Sequence, residues 1–177
     1  ISGYLSAQVI QNCSFFNNRC EDGGCGVYAV GWQTTIINST FFLNQARSVD
    51  EGIGGAVLAR DDCPSSASLQ IYNSILWGDH PEEIEVRHCS SMSVHHSNVE
   101  GILYPGEGNI SISPHIRDTL TGDLHLHPDS PCVDAADGDV SPPHDQDGHT
   151  RYDDPDTANT GSGTPSYADM GAFEYSP

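Results

Sequence analysis

The chain has no lysine: its six basic residues are all arginine, set against 25 aspartates and glutamates. The formal charge of -19 and pI near 4.4 exclude an electrostatic grip on nucleic-acid phosphates or an anionic membrane, and draw cations to the surface instead. No apolar run approaches the ~20 residues that a membrane-spanning helix needs. No stretch follows a helical 3.6-residue period, and Asn-Gly or Asp-Gly hairpin turns are too few to favour an antiparallel sandwich, which stays as the alternative all-β architecture. There is no signal-peptide pattern, and the chain starts at Ile1 inside a predicted strand, so it reads as a processed mature piece or part of a longer protein. At 36% the apolar fraction is low, which suits a narrow, extended core. The 177 residues are enough for one domain.

What is there is a repeat. Ile10-Gln-Asn-Cys-Ser-Phe-Phe-Asn-Asn18 is followed by Ile36-Ile-Asn-Ser-Thr-Phe-Phe-Leu-Asn44 and, weakened, by Ile71-Tyr-Asn-Ser-Ile-Leu-Trp-Gly-Asp79. A second element alternates with it, Gly23-Gly-Cys-Gly-Val27 and then Gly54-Gly-Ala-Val-Leu58. The first Asn of each copy falls at 12, 38 and 73, so the spacings are 26 and 35, the second lengthened by polar insertions at 48–52 and 61–68. Such spacing predicts stacked rungs of short strands. In a stack, Asn12, Asn38 and Asn73 occupy one bend, where Asn tolerates a left-handed backbone and bonds its equivalents as a structural ladder. The Phe pairs supply the interior and the Gly pairs the turns. Asn12, Asn38 and Asn109 also fit the N-glycosylation pattern, although recurrence in register favours the ladder for the first two.

Six cysteines without a Cys-x-x-Cys pattern point to an oxidising compartment. One bridge is expected within Cys13, Cys20 and Cys25, and a second between Cys63 and Cys89; Cys132 completes the set, and buried free thiols are the alternative.

The chain resembles secreted right-handed parallel β-helix proteins of the pectate-lyase-like superfamily, in particular bacterial surface proteins with repeats like those of chlamydial polymorphic outer-membrane proteins. Gly54-Gly-Ala-Val57 and the spacings Phe15 to Asn18 and Phe41 to Asn44 carry the likeness to that repeat. Ser97-Asn-Val-Glu-Gly101, Ser130-Pro-Cys-Val-Asp-Ala135, Asp145-Gln-Asp-Gly148 with Arg151, and Asp169-Met-Gly-Ala-Phe-Glu174 resemble the closing segment of uncharacterised bacterial members. Two departures stand out: Ser113-Pro-His-Ile116 replaces Asp-Pro-x-Phe, and Pro142-Pro143 with 153–164 enlarges the terminal loops. The resemblance implies a solenoid over residues 1–112, closed by an acidic, loop-rich capping segment over 113–177 within the same domain. It also implies an extracellular or cell-surface location, and it names no reaction.

Asp134, Asp137, Asp139, Asp145, Asp147, Asp153, Asp154 and Asp156 form the densest carboxylate cluster. Oxygen ligands alternating with Gly suit calcium, although the later Glu of an EF-hand is missing. The competing readings are a solvated acidic loop and an Arg151 clamp onto Asp134 or Asp169. His125 and His127 share a strand face and begin a two-imidazole site without a third ligand. The expected role is a structural or adhesive module without catalysis, self-assembling head to tail at an open edge or binding a polysaccharide or cell-surface ligand. The rival is a polysaccharide lyase or hydrolase, with Arg60-Asp-Asp62 and Arg87-His88 as clusters and Trp32, Trp77 and Tyr104 as sugar-contacting aromatics.

Overall fold

Each copy of the repeat folds as strand, left-handed residue, strand. In the first, β1 (Gln8–Gln11) turns at Asn12 (φ 50°) into β2 (Ser14–Phe16), and Asn17 (φ 51°) leads into β3 (Arg19–Cys20). In the computed structural model, residues 7–31, 33–47, 54–60, 68–88 and 91–177 are described. Trp32, Asp61, Asp62, Cys63 and Cys89 lie outside the described residues. After β4 (Val27–Val30), the second copy runs through β5 (Gln33–Ile37), Asn38 (φ 42°), β6 (Thr40–Phe42) and β7 (Gln45–Ala46). Then β8 (Gly54–Arg60) precedes the third copy, β9 (Ser68–Tyr72), Asn73 (φ 52°) and β10 (Ile75–Trp77). A fourth copy follows β11 (Glu82–Arg87): β12 (Ser91–His95), His96 (φ 45°) and β13 (Asn98–Val99). A left-handed backbone costs most L-residues roughly 1–2 kcal/mol, and Asn escapes part of that through local hydrogen bonding. That preference is why Asn fills three of these four bends.

The described residues are all-β, without a helix, and the repeats pair in parallel. One sheet has the order β1-β5-β9-β12, the second β2-β6-β10-β13 and the third β4-β8-β11, while β3 and β7 form a small fourth sheet. Each of the first two sheets thus takes one strand from every copy. Register in the first sheet is strict, with Ile10 opposite Ile36 and Ile36 opposite Ile71, whereas β11 shifts its register against β8 between Glu82 and Ile84. All three larger sheets bury side chains in one core, including Ile36, Ile71 and Val94 from the first, Phe41, Leu76 and Val99 from the second, and Val27, Val57 and Ile84 from the third.

The Ser after each bend stitches the copies together. Ser39 Oγ accepts the Cys13 N–H (3.3 Å), Ser74 Oγ the Ser39 N–H (3.2 Å) and Ser97 Oγ the Ser74 N–H (3.1 Å). Each hydroxyl donates in turn to the carbonyl two residues back. The series ends where Asn109 Oδ1 accepts the Ser97 N–H.

The Phe pairs do not share one interior, because successive side chains of a strand point to opposite faces. Phe15 and Phe41 face the common core with stacked rings 4.5 Å apart. Phe16 and Phe42 face outward with Trp77, where Leu124, Ala172 and Phe173 cover them. The two Gly pairs differ as well. Gly23 and Gly24 turn with φ of 101° and 63°, whereas Gly54 and Gly55 lie in β8, where a Cβ on Gly55 would stand 2.5 Å from the His80 backbone nitrogen.

The C-terminal segment carries only the short antiparallel pair β14 (Ile116–Asp118) and β15 (Asp123–Leu126). It lies along the outward face of the second sheet. Ile75 of β10 packs with Leu126, Val133, Ala136, Ala168 and Met170. Gly171 seats so closely that a Cβ would meet Ile75 Cδ1 and Thr40 Oγ1 at 2.8 Å.

Candidate functional site

The bends of the repeat and the acidic segment meet. Asn12 Nδ2 donates to the His144 carbonyl (2.7 Å), Asn38 Nδ2 to that of Asp169 (2.9 Å) and Asn73 Nδ2 to that of Asp137 (2.8 Å). Asn73 Oδ1 accepts the Asp137 N–H in return. Of the three Asn, the structure joins two side chain to side chain, Asn73 Nδ2 to Asn38 Oδ1 at 3.2 Å, while Asn12 Oδ1 is buried without a partner. All three bind the acidic segment. Asn38 is fully buried and Asn109 is engaged at both ends of its amide, bonding the Ser97 N–H and the carbonyls of Val94 and Tyr104.

Within the segment, buried carboxylates accept the backbone N–H groups that irregular loops leave over. Asp145 takes the amides of Asp147, His149 and Glu174. Asp169 takes those of Asp134 (2.8 Å) and Tyr175 (2.6 Å). Glu174 accepts the Tyr152 amide and the Arg151 guanidinium (2.6 Å), and Arg151 Nε donates to the Pro142 carbonyl. The expected Arg151 clamp therefore closes on Glu174. Burial raises the Asp169 carboxyl well above its ordinary range, with the Glu174 charge adding to it. Burial raises Glu174 as well, against the opposing pull of Arg151.

Asp134 stands apart. It is fully buried in a left-handed conformation (φ 52°), and neither carboxyl oxygen has a hydrogen-bond partner. Burial, then the charge of Asp153, push its pKa up to about 7, opposed by the nearby Asp154 amide. Two further aspartates serve their own turns, Asp137 accepting the Asp139 amide and Asp154 that of Asp156, while Asp139 accepts the distant Thr164 amide. Asp147 bonds His125 Nε2 (2.9 Å). Asp153 and Asp156 are exposed. Among the described residues no group of three or more His, Cys, Asp or Glu is arranged to hold a metal ion.

His125, on β15, and His127, just beyond its end, go to different partners. His125 bonds Asp123 and Asp147, and His127 bonds Asp129, which also faces His115 at 3.2 Å. Trp77 packs between the outward face and the segment, and Tyr104 packs against the common core. Cys20 and Cys25 form a disulfide, within the expected group; Cys13 and Cys132 are free thiols, and burial raises Cys132 to about 12. Beside the disulfide, Arg19, Glu21, Arg47 and His80 line an open groove of about 710 Å³. Arg87 ion-pairs with Glu85 (3.8 Å).

Sequence reasoning missed a further pair, Asp79 and Glu83, each about 7% exposed. Asp79 ends the third copy at the position of Asn44, and that equivalence was its only signal. Comparisons with protein-family models, with curated proteins and with solved structures found no match to this chain.

Proposed function

We propose that the chain is a non-catalytic extracellular or cell-surface module, structural or adhesive, built as a right-handed parallel β-helix of the kind found in bacterial surface repeat proteins. One observation carries the reading: the motif residues are used up in holding the architecture. The bend Asn side chains hold the acidic segment, the Ser hydroxyls join copy to copy, and the buried carboxylates accept backbone amides. The Asp79 and Glu83 carboxyls are buried in the repeat, whereas acid and base of a polysaccharide hydrolase must reach a glycosidic oxygen. The test is incubation with acidic and neutral polysaccharides. The expected result is no new reducing ends or unsaturated products; turnover that survives repurification overturns the proposal.

Self-assembly belongs to the same reading. Among the described residues β1, β2 and β4 are terminal strands of their sheets, and Val9, Tyr28 and Val30 on them are exposed. Unpaired strand edges recruit further strands, and head-to-tail contacts propagate into filaments. Sedimentation over a concentration series is expected to reveal self-association, and a strict monomer at the highest concentration overturns that part. Calcium enters as a stabilising ligand of the acidic segment, on the strength of the unpartnered carboxylate of Asp134. Chelator is expected to lower the melting temperature, and identical melts with calcium and with chelator overturn it. The arginine-lined groove favours a second reading, weak capture of an anionic glycan, which Arg19→Ala should abolish.

A further inference from the structure

We propose that Asp79 and Glu83 share one proton at neutral pH, and that this proton is the latch that closes a second side-chain ladder of the repeat onto β11. The ladder starts at Asn18, whose N–H and Nδ2 both donate to Asn44 Oδ1 (3.1 and 2.8 Å). Asn44 passes it on: its N–H and Nδ2 donate to Asp79 Oδ1 at 2.6 and 2.7 Å, and the same Nδ2 reaches the Phe15 carbonyl. Asp79 then donates its own N–H to Glu83 Oε1 (3.0 Å). One oxygen on each carboxyl remains, Asp79 Oδ2 and Glu83 Oε2, and both are buried without a partner.

Two ionised carboxylates cannot stay in this arrangement at low cost. Each would keep a desolvated oxygen without a donor, and their charges would repel at close range. A single proton between them removes the repulsion and gives both remaining oxygens a hydrogen bond, so the pair titrates as a unit with one proton held. The surroundings favour the proton further. Glu100, bonded to the Gly78 N–H (2.7 Å), faces the pair from beyond β13, Glu82 and Glu85 flank it on β11, and the Tyr104 hydroxyl lies among the same acids. His80 follows Asp79 directly and holds the Asn44 carbonyl through its backbone N–H. Consistent with this geometry, both carboxyls are raised, chiefly by burial, and Glu83 next by the Asp79 charge.

The sign follows from a folded value above the unfolded one. The stabilisation is complete below the ordinary Asp and Glu values of 3.8 and 4.5 and is lost as pH rises toward the folded values. Across neutral pH, unfolding therefore releases the shared proton.

The experiment is calorimetric unfolding in buffers of different ionisation enthalpy, which counts protons released, on the unmodified protein and on Glu83→Gln. The amide keeps the shape and offers Asp79 a donor. The variant is expected to release about one proton fewer at neutral pH and to lose stability less steeply with rising pH. Equal proton release overturns the proposal. Should Glu83→Gln not fold, carboxyl-carbon NMR of the unmodified protein decides: Glu83 is expected to keep its protonated shift at neutral pH, and a Glu83 that titrates at its ordinary value overturns the latch.

Discussion

The repeat and the C-terminal segment solve the same problem by different means. Both must satisfy buried backbone groups in a chain with few apolar residues. The repeat does so with paired parallel strands, supplemented by Ser and Asn side chains at recurring positions. The segment has almost no strand of its own and uses buried carboxylates, Asp145, Asp169 and Glu174, as acceptors for scattered amides. Stacking makes the first solution modular, since each copy presents the next with the same edge. The second is singular: each of these three carboxylates has its own set of donors, and burying its charge is costly unless those donors stay in place.

The sharpest way to break the contrast is to remove the one buried cation of the segment. Arg151→Leu strands Glu174 as an uncompensated buried charge and is expected to cost about 3–5 kcal/mol in urea unfolding. Tryptophan fluorescence should report it, because Trp77 lies under the segment. Next in size, Ser74→Ala leaves the Ser39 amide buried and unpaired, at about 1–3 kcal/mol. Its loss should fall on the repeat.

How much of this division was legible beforehand depended on whether a residue's role was local. Asn at 12, 38 and 73 could be placed at bends because left-handed backbone is a property of the residue itself. The parallel pairing followed from the recurrence. The fourth copy escaped because His96 stands at its bend, a residue with no particular claim to that conformation, although Ser97 kept its place in register. The split of Phe15 from Phe16 was implicit in strand alternation. It was hidden by the low apolar content of residues 113–177, which gave no sign that they would cover an outward face. The acidic segment was visible as charge, but donors such as the Tyr175 and Tyr152 amides are set by tertiary packing, so the acceptor roles of Asp169 and Glu174 could not be read from the sequence. Asp79 and Glu83 were missed for the converse reason: nothing in Gly-Asp-His-Pro-Glu-Glu marks two of its acids as buried.

Two smaller effects sharpen the comparison. Asn38→Gly keeps the left-handed bend and removes only the bonds to the Asp169 carbonyl and to Asn73, so about 0.5–1.5 kcal/mol is expected. Asn38→Ala should cost more by the left-handed strain of roughly 1–2 kcal/mol, and equal losses would show that the bend does not matter. Asp134 adds a pH signature to the segment. Its carboxyl is raised from 3.8 to about 7, so its contribution is full below the ordinary value and fades as pH climbs through neutrality. Asp134→Asn, well tolerated in a left-handed conformation, should flatten that part of the stability profile without touching the part that depends on Glu83.

The most direct test of two regions held by different physics is residue-resolved amide hydrogen exchange on the unmodified protein and on Arg151→Leu. The expected result is faster exchange at the amides that carboxylates hold, those of Asp134, His149, Glu174 and Tyr175, with the core-facing amides of Ile36, Val57 and Ile71 still protected. Loss of protection at all of these sites together, or at none of them, would contradict it.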